Sequence, residues 1–220
     1  MRWREFLELA CASFVALLVG LSLYVDMRGV FDLGVLDTLL LVLLAYLLHE
    51  LSHKARARRL AGGGEFNMSI TGSFYSLLIA GILNAWGILG QSVVSLMGLE
   101  LAKPYRIVPF RFLTLGTVVL RGRRGKKVVG KVASSGPLAN LALGWLMFSL
   151  PFLSLLDLDP ELLLVGSALN AYTALTSLLP LAFCDGLSIY WWSRKAWLAL
   201  LVPTIILMIM SNFFLLSQLA

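Results

Sequence analysis

The stretch Thr38–His53, TLLLVLLAYLLHELSH, places two histidines and a glutamate at the end of an uninterrupted apolar run. Before His49 the run contains no glycine, proline or charged residue, which is typical of a helix. On a helix, His49 and His53 lie one turn apart on the same face, so both imidazoles can bind one metal ion. Glu50 lies about a quarter turn away, where its carboxylate can reach a metal-bound water without binding the metal.

These two histidines are the only ones in the chain. Ionisable side chains within a membrane-length helix are costly and usually functional. The alternative is a pair of hydrogen-bonded interior histidines beside a glutamate that extends towards the membrane interface. The shared helix face and the exclusive use of both histidines favour a metal site.

The composition indicates a polytopic α-helical membrane protein. Of the 220 residues, 59% are hydrophobic and 14% are charged, whereas soluble domains are about half apolar and about a quarter charged. We predict one membrane-embedded domain over residues 1–220, with its core at about 36–197 and the lipid bilayer as a partner. The net charge of +6 lies in loops between apolar segments, which argues against nucleic-acid binding. The oligomeric state is left open.

Five apolar segments are long enough to form transmembrane helices. They span about 7–25, 35–53, 133–156, 162–183 and 196–216, and the first and last are peripheral to the core. The stretch 74–101 is interrupted at 84–87 and at 90–92, which predicts a re-entrant hairpin of two short helical arms. Residues 60–72 are predicted to form a polar loop. Residues 103–131 are predicted to form short cytoplasmic-side strands around a basic turn at 121–127 that binds anionic headgroups.

The distribution of positive charge predicts the orientation. If the N-terminus is cytoplasmic and 74–101 does not cross, 17 of the 18 Lys and Arg residues are cytoplasmic, leaving only Arg28 outside. This predicts a multi-pass protein of the cell membrane with its N-terminus and site facing the cytoplasm. The same topology brings Asp185 to the depth of His49 and His53, and a catalytic zinc needs such a third protein ligand.

Three motifs in order resemble the site-2 protease family of intramembrane zinc metalloproteases. They are HELSH at 49–53, GPLAN at 136–140 and LLPLAFCDG at 178–186, and the resemblance covers roughly 36–197. It implies a metalloendopeptidase that cleaves transmembrane protein substrates. It also implies a set of site residues: one Zn²⁺ is bound by His49, His53 and Asp185, and Glu50 is the general base.

The resemblance also implies how the site is assembled. A helix starting at 136–140 packs closely on the metal-binding helix, and Pro180 breaks the fourth membrane helix so that Asp185 turns towards the metal. Ser177 stands where the family usually has Asn, and Phe183 stands where it usually has Pro. The candidate substrate-positioning residues are Asn140, Ser177 and Pro180. Asn140 or Asn170 is a candidate source of the missing amide, and Cys184 is interpreted as a packing residue.

A second function remains open, namely a catalytically silent membrane-segment binder or metal carrier on the same scaffold. Glu50 favours an enzyme, because a binder needs no general base. A carrier is expected to have metal ligands at several depths, whereas the sequence shows one cluster. In the enzyme, strands between 104 and 129 are expected to pair with an unwound substrate segment by edge addition.

Overall fold

The computed structural model describes residues 3–28, 30–96, 107–111, 113–120, 122, 124–153 and 158–217, and for 86–96 it describes the backbone only. Most of the described chain is helical, with one antiparallel two-stranded sheet. The elements are α1 (Trp3–Met27), α2 (Val35–Ala61), β1 (Gly64–Met68), α3 (Ile70–Leu96), β2 (Gly116–Leu120), α4 (Lys126–Ala133), α5 (Ser135–Leu153), α6 (Pro160–Leu178), α7 (Asp185–Trp192) and α8 (Arg194–Ser217).

Four helical stretches of the described chain are long and apolar enough to cross a membrane: α1, α2, the consecutive α4 and α5, and α8. They fit a membrane location and correspond to the predicted first, second, third and fifth segments. The second helix is longer than predicted and continues through its basic residues to Ala61. The next residue, Gly62, has a left-handed φ of 68°, which is typical of the residue that follows a helix.

The predicted fourth segment is α6, which lies at the centre of the bundle against α2, α5 and α8. It is buried on nearly every face. Its polar side chains are satisfied within the protein; for example, Ser167 and Ser211 share a hydrogen bond of 2.8 Å between their hydroxyls. Because neighbouring helices cover α6, it does not need the apolar surface of a lipid-facing helix. It ends at Leu178, before the predicted limit at Phe183.

The prediction of two helical arms within 74–101 is wrong, because α3 continues through both expected interruptions. The Asn84 side chain explains the first of them. Its Oδ1 accepts hydrogen bonds from Ser22 Oγ at 3.0 Å and from Arg111 Nη2 at 2.9 Å. A polar residue that finds partners on neighbouring segments does not require the helix to open. Residues 97–101 lie outside the described part of the chain.

Helix α3 runs beside α1 in the same direction, and the described residues from 107 onward lead back to the sheet. Just before α3, Met68 N donates to Glu8 near the start of α1, whereas Asn84 meets Ser22 near its end. Arg111 pairs with Asp26, also near the end of α1. The returning chain finally reaches the sheet, where Ser69 N donates to the Leu115 carbonyl. The stretch of chain between Ser69 and Leu115 therefore begins and ends beside the sheet.

The returning segment around Val108 is non-helical and partly buried, and neighbouring side chains satisfy its backbone. Val108 N donates to Asn212 Oδ1 at 2.9 Å, and Tyr172 Oη donates to the Val108 carbonyl at 2.9 Å. Buried non-helical backbone needs such partners. The predicted strand is thus wrong for 107–111, while 103–106 and 112 lie outside the described residues.

The sheet pairs β1 with β2 in antiparallel register, from Gly64 opposite Leu120 to Met68 opposite Gly116. Strand β2 confirms the strand predicted at 117–120, whereas β1 lies within the predicted loop 60–72. At its other edge, β1 donates from Phe66 N to Glu5 Oε1 and from Met68 N to Glu8 Oε2, both at 3.1 Å. The start of α1 therefore closes this edge of the sheet.

Helix α4 replaces the end of the predicted basic turn and the strand expected at Val128–Val129. The helix packs on α7 so closely that a Cβ on Gly130 would lie 2.3 Å from the Trp192 Cβ. This contact favours the helix, although the two valines are β-branched and prefer strands. Arg121 and Arg123 lie outside the described residues.

Candidate metal centre

The three predicted metal ligands meet at one point between α2 and α7. The Nε2 atoms of His49 and His53 and the Oδ2 atom of Asp185 are each 3.1 Å from the other two. Both histidines are buried, with exposed fractions of 7% and 3%. The predicted helical spacing is thus realised, and a residue more than a hundred positions away completes the cluster.

Hydrogen bonds on the far side of each imidazole determine its tautomer. His49 Nδ1 lies 2.6 Å from Asn140 Oδ1, and His53 Nδ1 lies 2.8 Å from the Val132 carbonyl. Asn140 Nδ2 donates to the Ala45 carbonyl at 2.9 Å and to Asn170 Oδ1 at 3.0 Å, which orients the amide oxygen towards His49. Because both partners accept, each Nδ1 carries the proton and each Nε2 presents a lone pair.

The donor set fits a metal cation. Two imidazole lone pairs and a carboxylate oxygen converge, and a positive charge between them removes their mutual repulsion. Zinc–ligand distances of about 2.0–2.2 Å place tetrahedral ligands about 3.3 Å apart, close to the 3.1 Å observed. Three protein ligands leave the fourth position for water. Among the described residues, these three side chains form the group able to hold a metal ion.

The break between α6 and α7 positions Asp185. Leu179 is extended, with φ of −60° and ψ of 136°, as the residue before a proline prefers. Helix α6 therefore ends before Pro180, as predicted. A Cβ on Gly186 would lie 2.0 Å from the Leu178 carbonyl oxygen. The absence of a side chain at Gly186 lets the start of α7 rest against the end of α6.

Gly136 permits α5 to approach α2, the helix that carries His49 and His53. A Cβ there would lie 2.3 Å from His53 Nε2 and 2.6 Å from His49 Nε2. The predicted close approach of the 136–140 stretch is confirmed. A side chain at this position would enter the space beside the Nε2 atoms of both histidines.

The negative charge of Asp185 suits a metal ligand, whereas the thiol of Cys184 is not suited to that role. Burial alone would raise the pKa of Asp185, but the neighbouring His53 and His49 hold the pKa well below its usual range. Burial, followed by the charge of Asp185, raises the pKa of the Cys184 thiol to about 12. Cys184 therefore remains a neutral thiol, and its buried side chain agrees with the predicted packing role.

Glu50 is buried beside this cluster. It lines a cavity of about 130 Å³ together with His49 and Asp185. Its Oε2 atom is fully buried and has no hydrogen-bond partner among the described residues. A buried acceptor without a partner costs about 1–3 kcal/mol, and the cavity has room for several water molecules. The arrangement therefore suits a water held between the carboxylate and the metal position.

The predicted substrate-positioning residues occupy three different places. Ser177 lines the cavity, and its hydroxyl donates to the Ala174 carbonyl at 2.8 Å. The Asn140 side chain is completely buried, and its contacts orient His49 instead of facing the cavity. Asn170 Nδ2 donates to the Gly166 carbonyl, so this amide is also engaged. Pro180 is exposed at the helix break.

Two contributors were not anticipated from the sequence. The Val132 carbonyl orients His53, but a main-chain acceptor has no sequence signature. Phe183 lines the cavity and stacks on Tyr75 of α3, with ring centroids 5.4 Å apart. The sequence showed that Phe183 stands where the resembled family usually has a proline, but it did not show that Tyr75 would be its aromatic partner. Helix α3 therefore supports the Phe183 ring, which lines the cavity.

No family model, curated protein or solved structure matches the chain. Within the described residues, the fold and the site define a helical protein with four membrane-length apolar helices and a His-His-Asp cluster that could hold a metal ion. Its function is inferred from the geometry of this site.

Proposed function

We propose that the chain is a zinc-dependent intramembrane endopeptidase of the site-2 protease type that cleaves transmembrane segments of membrane proteins. The observation that carries the proposal is the buried, unpartnered Oε2 of Glu50 in the same cavity as His49 and Asp185. A site that only bound metal would have no need of a second buried carboxylate that lies outside the ligand cluster. The three sequence motifs support the same class.

In this proposal His49, His53 and Asp185 hold the zinc ion. When bound, zinc lowers the pKa of its water and polarises the scissile carbonyl. Glu50 accepts the proton of the attacking water and delivers it to the leaving amide nitrogen. Asn140 and the Val132 carbonyl keep both imidazoles in the tautomer that presents Nε2.

The open edge of β2 supports a route for the substrate. Since Phe66 N and Met68 N point to α1, alternation in the antiparallel ladder points the Val118 N–H away from β1. Among the described residues, no hydrogen bond is made by this N–H. Gly116 and Thr117, at the start of the same strand, line the cavity. An unwound substrate added to this edge would pass the metal centre.

Replacing Val118 with Pro is expected to slow cleavage about tenfold, the effect of losing one edge hydrogen bond, with zinc content unchanged. Proline removes the outward N–H, while the ladder bonds of Thr117 and Val119 to β1 remain. The measurement is the cleavage rate of a membrane-segment fusion in detergent, with metal analysis of the same sample. Val118→Ala, which keeps the N–H, is the matched control, and equal rates for Pro and Ala would remove β2 from substrate binding.

The proposed orientation places the N-terminus and the site at the cytoplasmic side of the cell membrane. It is supported by the basic run at 54–59, which ends α2 near the start of α1, where Lys54 pairs with Glu5 at 2.5 Å. Arg111 does not support it, because its charge is paired with Asp26 towards the other end of α1.

The direct test measures zinc and proteolysis together in the purified protein. We expect one zinc per chain, cleavage of a membrane-segment fusion, loss of cleavage with a chelator and recovery on zinc addition. A fusion whose membrane segment is replaced by a soluble linker serves as the control substrate. One bound zinc without any cleavage would instead support the silent binder or metal carrier.

A further inference from the structure

A second groove opens beside α2. It has a volume of about 350 Å³ and lies between α2 and the stretch formed by α4 and α5. Ser52, Arg56 and Arg59 line it from α2, one helical turn after another, while Lys131 lines it from α4. Its lining residues do not include Glu50 or Asp185, so it is separate from the cavity of the metal centre.

Three cations line this groove, and no counter-charge for them lies among the described residues. In the described chain, no ion pair or side-chain hydrogen bond is made by Arg56, Arg59 or Lys131. No carboxylate is among the described residues that line the groove. Lys54, only two positions before Arg56, is by contrast paired with Glu5. The groove therefore concentrates uncompensated positive charge, which attracts an anion.

The groove changes character along its length. Hydroxyls of Ser52, Ser134 and Ser135 accompany the cations, and the side chains of Leu138 and Ala142 follow along α5. Leu138 is 53% exposed, and it lies in a helical stretch that is long and apolar enough to cross a membrane. A polar, cationic mouth that continues into an apolar floor is complementary to an amphiphile with an anionic head and a hydrocarbon tail.

We propose that this groove binds one anionic phospholipid, with its phosphate between Arg56, Arg59 and Lys131 and an acyl chain along α5. Arginine and lysine are the residues that bind phosphate oxygens in proteins, and serine hydroxyls supply further donors. The apolar floor distinguishes a lipid from a free phosphate ion, because the ion gains nothing from Leu138. Unlike a diffuse basic surface, the groove is expected to bind a single lipid molecule.

The test compares two triple variants that remove the same charge. The first triple variant removes the three cations of the groove by the substitutions Arg56→Gln, Arg59→Gln and Lys131→Gln. The matched control is Arg58→Gln, Lys126→Gln and Lys127→Gln, at exposed cations outside the groove. Native mass spectrometry of detergent-solubilised protein titrated with phosphatidylglycerol or phosphatidylcholine counts the bound lipids.

We expect wild type and the control triple to retain one phosphatidylglycerol in preference to phosphatidylcholine, and the groove triple to need at least about tenfold more lipid. Equal weakening in both triples would overturn the proposal, because charge alone would then explain binding. Unchanged binding in the groove triple would also overturn it. Displacement of the lipid by millimolar inorganic phosphate would assign the groove to a free anion. Circular dichroism confirms that each variant is folded, and none of these readouts depends on proteolysis.

Discussion

Replacement of Glu50 by Gln is expected to reduce cleavage about 10²–10⁴-fold, the usual contribution of a general base, while one zinc remains bound. Glutamine has nearly the same shape but cannot accept the proton of the attacking water. The three ligand atoms, each 3.1 Å from the other two, are unchanged. The measurement is single-turnover cleavage of the membrane-segment fusion, with zinc content determined on the same preparation.

Asp185→Asn is the informative comparison, because it removes a ligand charge and leaves Glu50 in place. We expect this variant to lose zinc and cleavage together, whereas Glu50→Gln separates the two properties. Normal turnover by Glu50→Gln would show that the carboxylate is not the base, and the proposed mechanism would fail.

Gly136→Ala is expected to weaken zinc binding by about 100-fold or more, and cleavage should fall to background. Changes around metal ligands commonly cost 10–100-fold in affinity, and here the new Cβ would lie 2.3 Å from a ligand nitrogen. In an open helix the same change is stabilising by about 1 kcal/mol. The predicted loss therefore comes from the contact with His53 and His49, and zinc titration monitored with a chelating dye measures it.

Gly81→Ala in α3 is the matched control, because a Cβ there meets nothing within 4 Å. We expect wild-type zinc affinity and cleavage from this variant. Thermal unfolding of the zinc-free proteins checks that Gly136→Ala still folds. A folded Gly136→Ala protein with full zinc affinity would contradict the close packing of α5 on α2.

The sequence predicted part of the His-His-Asp cluster from local signals. The spacing of His49 and His53 on one helix face needs only the helix period. The family resemblance implied the helix break at Pro180, and proline geometry explains it. The placement of Asp185 depended on the family resemblance and on the predicted topology. The orientation of the imidazoles depends on Asn140 and on a main-chain carbonyl. Neither contact could be inferred from residue spacing.

The sequence predicted the region between 60 and 131 poorly, because tertiary contacts determine it. Strand β1 is five residues long and finds its partner about fifty positions away. Asn84 resembled a helix breaker until Ser22 and Arg111 supplied partners for its amide oxygen. In α4, packing of Gly130 on Trp192 outweighed local β-propensity.

Because Glu5 and Glu8 bind the outer edge of β1, the edge of β2 is the one edge of the described sheet left for strand addition. If substrates dock there, a second polypeptide cannot be accommodated on the opposite side at the same time. Two different substrates must then exclude each other, and each acts as a simple competitive inhibitor of the other. The proposed enzyme would then process one chain at a time, and the concentration of each substrate multiplied by its kcat/KM would decide which one is cleaved.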